Sequence, residues 1–393
     1  MPWKEVTVMQ EKETFISAAI QKEISFSQLC SEYGISRKTG YKWLARYRSG
    51  EGLQDRSRAP VNSSTRTTSE IEQLILQERE KHPTWGPRKL ERTLKNQGYT
   101  DLPCKSTIGN ILKRNDCIEP EASEAAKAYQ HFERERPNEL WQMDYKGDFG
   151  LLNGQRCFPL TILDDHSRFN LCLHACSGTN STEFTPIFTR ILEEYGLPDA
   201  ILCDNGKPWG DCHNGGITAF DVWMMQMDVL PIHGKPLHPQ TQGKDERFHR
   251  TLKNDLLKRQ VFLNLQSAQA AFDPWREEYN NERPHEALQL EVPAKYYRPS
   301  KKAFPKMNQQ VVYDSGKRLR RVNCKGYISI SRKRYFLSDS LIGEYIQIND
   351  CDNDVVALQY GQFEIARINL AEGLFVSKRR LRVKQTESAS IKE

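Results

Sequence analysis

The spacing of apolar residues changes character along the chain. From residue 8 to 48 it has the helical period. EKETFISAAIQ predicts one helix, and FSQLCSEYGISRKTGYKWLARYRSG predicts two more. Phe26, Leu29 and Cys30 give the middle helix an apolar face. Gly34 supplies a turn that strains other residues, and Ser36 is placed to cap the next helix. On that last helix, Tyr41, Leu44 and Tyr47 are expected to pack inward, leaving Arg37, Lys38, Lys42 and Arg46 outward. GLQDRSRAPVNSSTRTT (52–68) breaks the pattern with glycine, proline and serine, as linkers do. The helical period returns in 69–99 and again in STIGNILKRND (106–116), with Ser106 as the expected cap. EPEASEAAKAYQHFERERP (119–137) is a charged helical connector with little apolar content.

From residue 138 the period shortens to two. ELWQMDYKGDFG alternates like a strand, and NGQRCFPLTILDDHSRFNLCLHAC adds a turn and two more strand-like runs. STEFTPIFTRILEEYG reads as a helix ending in glycine, LPDAILCDNG as a short strand, and ITAFDVWMMQMD as a helix before the strand VLPIHG. A long helix from 244 and another near 264–279 close this part, a mixed α/β domain around a central sheet. Beyond 305 short alternating runs with turns predict a small all-β, barrel-like domain. The expected organisation is therefore multidomain. A helical unit covers 1–51, a basic linker 52–68, a second helical unit 69–118 and a connector 119–137. An α/β core covers 138–300, a β-domain with a basic end 305–383 and a tail 384–393.

Charge sharpens this picture. Residues 1–60 carry ten Lys or Arg against seven Asp or Glu, and SKRRLRV (377–383) is a dense basic run. Helix, glycine turn and basic capped helix together make a helix-turn-helix pattern, so the first unit is a candidate DNA reader through Arg37, Lys38, Lys42 and Arg46. In the second unit Arg88, Lys89, Arg92, Lys105 and Lys113 are candidates for the same role, with a solvated face as the plain alternative. Arg332, Lys333 and Arg334 in the β-domain are further candidates. The ten cysteines include no CxxC pair and read as reduced core residues, not a disulfide or zinc framework. The amino-terminal stretch is charged from residue 4, carries no apolar signal segment, and no run approaches a membrane span. The expected location is inside the cell, with no membrane partner.

Three carboxylates stand out. Asp144 lies on the alternating run W-Q-M-D-Y-K, with Trp141, Met143 and Tyr145 on the opposite face. Asp204 ends the strand ILCD, where α/β sheets place their sites. Glu246 sits in the first turns of the long helix, sharing a face with Arg250 and Lys253. Converging, the three would suit hard divalent ions, and two ions about 4 Å apart can hold the attacking and leaving oxygens of one phosphate. Taken singly, each is equally an exposed strand-end or helix-start residue.

WQMDYKGDF, LTILDDHSRF, LCDNG, HPQTQGKDERFHRTLK and YNNERPHEAL, in this order across 138–295, resemble the catalytic core shared by retroviral integrases and bacterial insertion-sequence transposases. The resemblance implies an RNase H-like fold with Asp144, Asp204 and Glu246 as catalytic and metal-holding triad. It also implies two Mg²⁺ ions per site (Mn²⁺ as substitute), and a reaction that cleaves DNA at element ends and joins the freed 3′ hydroxyl to target DNA. The implied partners are double-stranded DNA, as terminal repeats and target, and further copies of the chain in a synaptic complex. The implied location is the bacterial cytoplasm, on the nucleoid. Gln240 and Gln242, in the turn before the glutamate, and Lys244 join the candidate DNA contacts. Asp164 and Asp165 match family acids described as structural. The 42 residues from Asp204 to Glu246 are more than is usual in the family, and KPWGDCHNGGITAF (207–220) is expected to absorb the excess as a surface loop. The front of the chain lacks the His/Cys module of the retroviral enzymes. A metal-dependent nuclease on the same fold and a non-catalytic DNA-binding regulator are the competing readings.

Overall fold

The computed structural model describes residues 7–55, 67–118, 134–210, 216–234, 243–305, 310–351 and 354–378. They belong to two compact units, 1–66 and 67–393.

The first unit is three helices: α1 (Val8–Gln21), α2 (Phe26–Glu32) and α3 (Arg37–Arg48). Ser36 caps α3 by accepting from the Thr39 amide at 3.1 Å, and Gly34 turns the chain with φ +62°. The core is Phe15, Ile16, Leu29, Cys30, Trp43 and Leu44. Here the expectation for α3 is corrected. Gly40, Trp43 and Leu44 face inward, while Tyr41 and Tyr47 are about half exposed. Tyr41 instead stacks outside on Phe26, with ring centroids 4.2 Å apart. The reason is Gly40, where an added Cβ would meet Cys30 Sγ at 2.7 Å and Phe15 at 3.0 Å. That close approach seats α3 on its 40–43–44 face. Gly40→Ala is therefore expected to destabilise this unit by about 1–3 kcal/mol through overpacking, although alanine favours helix by about 1 kcal/mol. Faster amide exchange confined to α1–α3 would register it.

The second unit opens with α4 (Ser69–Lys81), α5 (Pro87–Asn96) and α6 (Lys105–Arg114) around Ile75, Trp85, Leu90, Leu94, Ile108 and Leu112. The helical period read over 69–99 is broken at His82–Gly86, where Pro87 begins α5. Ser106 lies within α6. Cys104 is the capping residue and makes no side-chain cap bond.

The central sheet follows: β1 (Trp141–Tyr145), β2 (Phe149–Gly150), β3 (Arg156–Asp164), β4 (Asn170–Cys176), β5 (Ala200–Cys203) and β6 (Leu230–His233). β1 pairs antiparallel with β3 and β3 with β4, while β1–β5 and β5–β6 are parallel. The short β2 continues the antiparallel edge along β3. This is the mixed sheet of an RNase H-like domain. One face packs on α7 (Ser181–Tyr195) and α8 (Ala219–Gln226) through Trp141, Met143, Phe188, Ile191, Phe220 and Met224. The other packs on α9 (Gly243–Leu252) and α10 (Leu265–Asn281) through Leu163, Leu173, Phe248, Leu252 and Phe272. The long helix expected from 244 ends at Leu252, and a π-helical turn, Lys253–Leu257, follows it. A short α11 (Pro293–Tyr296) ends this part.

The all-β part is one five-stranded antiparallel sheet and a hairpin sharing an apolar core. Its strands are β7 (Leu319–Arg321), the hairpin β8 (Tyr327–Ile330) and β9 (Lys333–Phe336), then β10 (Tyr345–Asp350), β11 (Val355–Tyr360), β12 (Phe363–Asn369) and β13 (Leu374–Lys378). Arg332, Lys333 and Arg334 project from the hairpin turn and the start of β9, all exposed. Ile217, Val222 and Met225, from α8 and the residues before it, are buried in this same core. Ser338 Oγ donates to the Ile217 carbonyl at 2.5 Å. Among the described residues no helix is long and apolar enough to cross a membrane.

Candidate active site

Asp144 sits on central strand β1, whose inner residues Trp141 and Met143 are fully buried. The opposite face is not wet either. Gln142 is 2% exposed and donates to Asp165 Oδ1 at 2.6 Å, and α9 lies against the strand. Asp144 itself is partly buried, and burial pushes its carboxyl up to about 7, with the charges of Asp204 and Glu246 raising it further and Lys146 opposing. Asp204 and Glu246 are thus both within electrostatic reach of Asp144. Among the described residues, no three acidic, histidine or cysteine side chains are gathered closely enough to enclose an ion by themselves. Open carboxylate sites that leave room for water and phosphate oxygens have this character. The donor set is all oxygen, with its negative charge only partly offset by Lys146, and fits hard divalent cations.

Asp204 follows β5 directly. Its Oδ1 accepts from the Gly206 amide at 3.0 Å and from Trp209 Nε1 at 2.5 Å. Oδ2 carries no hydrogen bond among the described residues. Gly206 is needed here, because a Cβ would come within 2.8 Å of Oδ2. Trp209 is 1% exposed and stacks on Tyr145, beside Asp144, at 5.2 Å and 10°. Loop 207–220 is therefore not a plain surface excursion. Trp209 enters the core, while Asp211, Cys212 and His213 lie outside the described residues. His233, at the end of β6, links the Asp204 carbonyl (3.1 Å) to the buried Asp221 carboxylate on α8 (2.6 Å).

Glu246 is exposed on the first turn of α9, whose start is fixed by Lys244. Lys244, expected on DNA, is instead committed to Asp165 Oδ2 at 2.6 Å and is only 12% exposed. A lysine in a buried ion pair is held by its carboxylate. Asp164 accepts from the Asn138 and Ser167 amides and the Ser167 hydroxyl, so both acids of DDHSR serve structure, as expected. Arg250 and Lys253 are exposed, and Lys253 lies close enough to Lys146 to lower its pKa. Gln240 and Gln242 lie outside the described residues. Arg37, Lys38 and Lys42 are exposed on α3, Lys42 and Arg46 both lie over the Trp43 ring, and Arg46 also donates to the Gln54 carbonyl. Arg88 is exposed and Lys89 half-buried, and Arg92 is taken by Glu291.

Sequence reasoning passed over His249. Its Nε2 is 2.8 Å from Thr161 Oγ1, and that hydroxyl donates to the Asp144 carbonyl at 3.0 Å. With the hydroxyl proton so used, Nε2 carries the ring proton, and bare Nδ1 faces Asp144 Oδ2 at 3.9 Å. Burial, helped by Lys146, pushes His249 down to about 3, so this contact is not an ion pair. Its position three residues after Glu246, on the same helix face, was the available signal. Asp245 is fully buried with neither oxygen hydrogen-bonded among the described residues, and burial first, then Asp144 and Asp165, raises its carboxyl far above the usual range.

Asp144 on β1, Asp204 after β5 and Glu246 at the start of α9 belong to a mixed sheet and its covering helix, preceded by helical units, and this is the architecture of an integrase-type domain. Family models agree. An integrase core domain matches residues 134–239 and a second integrase core model matches 227–293. A helix-turn-helix domain matches 11–60 and a homeodomain-like domain 39–112. An uncharacterised protein of insertion element IS136 from Agrobacterium fabrum is 31% identical over 173 residues, 42% of this chain and 84% of that protein. A 31.7 kDa protein of insertion element IS407 from Burkholderia multivorans is 27% identical over 160 residues, 41% of this chain. The match spans about half that relative's length, 55%. The catalytic core of HTLV-2 integrase is similar at 15% identity and a TM-score of 0.32, covering 42% of this chain and 99% of that one. The chain belongs to the integrase-core family of bacterial insertion-element transposases.

Proposed function

We propose that the protein is a DDE transposase that cuts DNA at the ends of its insertion element and joins the freed ends to target DNA. The carrying observation is Asp144, its carboxyl raised first by burial and then by the charges of Asp204 and Glu246, on the sheet of an integrase core. In the first step water attacks a phosphodiester and frees a 3′ hydroxyl. In the second that hydroxyl attacks a target phosphodiester, so one bond forms as another breaks and no covalent protein intermediate is needed. Two divalent ions, Mg²⁺ or in its place Mn²⁺, held by Asp144, Asp204 and Glu246 would activate the attacking oxygen and stabilise charge on phosphorus. The protein's own part is positioning. Trp209 and Gly206 fix one oxygen of Asp204, and Lys244 fixes the start of α9. Thr161 and neutral His249 hold strand β1 and α9 together beside Asp144. Arg250 and Lys253 neutralise phosphates. The basic α3 and second helical unit read element ends, and synapsis of two ends requires several copies of the chain. The place of action is the bacterial cytoplasm, on the nucleoid.

The test is strand transfer by purified protein on labelled duplex from each flank of its gene, in Mg²⁺, beside Glu246→Gln. Joined products from the wild type alone, with the variant lowered at least about 10³-fold, are expected. Cleavage without joining would favour a nuclease, and tight binding with neither product a regulator.

A further inference from the structure

We propose that Asp255 is a positioning residue for the proposed catalytic glutamate: gripped on both carboxylate oxygens, it fixes the rotation of α9 and with it the aim of Glu246. The inference rests on the transposase reading and adds that the second helical unit helps to build the active site, apart from any contact it makes with DNA. Glu246 is exposed on α9, and among the described residues no hydrogen bond holds its carboxylate. Its place is therefore set by the helix that carries it. Lys244 fixes the start of α9 at one point, and Phe248 and Leu252 pack beneath the helix. A single tie leaves rotation about the axis open, and apolar contact has no direction of its own. With side chains a helix is about 10–12 Å across, so a rotation of about 10° moves an outward carboxylate by about 1 Å. A displacement of about that size can cost about 10²-fold in rate.

The far end of the helix supplies the missing constraint. After Leu252 the chain widens into the π-helical turn, closed by the Lys258 amide donating to the Lys253 carbonyl at 2.9 Å. Turns of this kind are rare and concentrate at functional sites. Asp255, in the middle of this one, has a side chain only 11% exposed. Its Oδ2 pairs with the guanidinium of Arg283, which follows α10 and whose side chain is 8% exposed. Its Oδ1 accepts from Thr84 Oγ1 at 2.5 Å. Parting a buried ion pair leaves an uncompensated charge, so the pair keeps one geometry, and a carboxylate held on both oxygens does not swivel.

Thr84 belongs to the connection between α4 and α5, so this tie crosses from the helical unit to the core. Its neighbour Trp85 is buried and takes the other partner, with the Arg283 guanidinium 5.9 Å from its ring centroid. One connection of the helical unit thus holds both members of the ion pair. Two further contacts seat the unit. His82, stacked on Trp85 at 3.7 Å, meets Glu278 of α10 through Nδ1 at 3.0 Å, and Arg92 of α5 pairs with Glu291. A shift of the unit against the core is therefore passed through Asp255 to the unbroken helical stretch that carries Glu246.

The experiment compares the full chain with Thr84→Val, Thr84→Ser and Asp255→Asn in two measurements. One is kcat and KM for strand transfer on labelled duplex from the gene's flank, in Mg²⁺. The other is amide hydrogen exchange of the metal-free protein. Thr84→Val removes an exposed donor and leaves the ion pair in place. It should lower kcat about 10-fold with KM for the duplex unchanged, and quicken exchange of the α9 amides at least about 3-fold. Thr84→Ser keeps the hydroxyl and should restore both. Asp255→Asn should lower kcat about 10²-fold. Should it fail to fold, as thermal melting would show, the two Thr84 variants decide. An unchanged kcat in Thr84→Val, or a rise in KM alone, overturns this inference and leaves the transposase reading standing. A wild type that neither cuts nor joins overturns the transposase reading, and unchanged α9 exchange in Thr84→Val then overturns the tie as well.

Discussion

Asp144→Asn should abolish cleavage and joining, by at least about 10³-fold, and at the same time make the metal-free protein more stable. The two effects share one cause. Asp144 is partly buried, its side chain 24% exposed, beside two further carboxylates, and its pKa is raised from 3.8 to about 7. A carboxyl whose folded-state value lies above that of the unfolded chain holds extra protons when folded. Stability is then lost as pH rises through the interval between the two values, here from about 4 to about 7. At pH 8 the folded wild type therefore carries a penalty of about 1–2 kcal/mol, allowing for partial exposure, which asparagine removes. In a chelator at pH 8 the variant should melt about 2–5 °C higher, with the difference vanishing by pH 4. Added Mg²⁺ should raise the melting temperature of the wild type and leave the variant nearly unmoved. Equal melting of both proteins in chelator at pH 8 would mean that the carboxylates do not repel as described.

Trp209 carries the second large effect. It is buried, stacks on Tyr145, packs edge-on against Phe184 and donates to Asp204 Oδ1. Trp209→Ala should cost about 3–5 kcal/mol in urea unfolding, as truncations of large buried aromatics do. Trp209→Phe separates the roles, since it keeps a ring in the stack and removes only the donor. That variant should lose about 1.5–3 kcal/mol of the charge-assisted bond and about 10²-fold in kcat, with KM for DNA unchanged. A matching rise in KM would mean that the tryptophan serves DNA binding instead of the placement of Asp204.

Much of this arrangement was legible in the chain. The alternation at 141–146 puts Asp144 opposite a buried face, and the strand-then-DNG pattern puts Asp204 at a sheet end, because period and turn chemistry are local properties. What escaped depends on contacts distant in sequence. Tyr41 and Tyr47 look like core residues by helical spacing, and only the approach of Gly40 to Cys30 shows that α3 is turned to another face. Trp209 lies in a stretch whose glycines read as surface loop, yet its partners come from β1 and α7. Lys244 looks like one more cation beside a catalytic glutamate until Asp165, 79 residues away, claims it. The docking of α4–α6 on the core, through His82, Arg92 and Trp85, has no periodic signature at all.

The helix α8 has a consequence for how such proteins can be cut and recombined. Phe220 and Met224 belong to the catalytic core, whereas Val222 and Met225 belong to the β-domain, so the helix buries two apolar faces. It also carries Asp221, which reaches the Asp204 carbonyl through His233. The β-domain is therefore part of the support behind the second aspartate. An evolutionary exchange of that domain would have to bring a matching α8 surface with it, or leave a sticky helix exposed beside the chemistry.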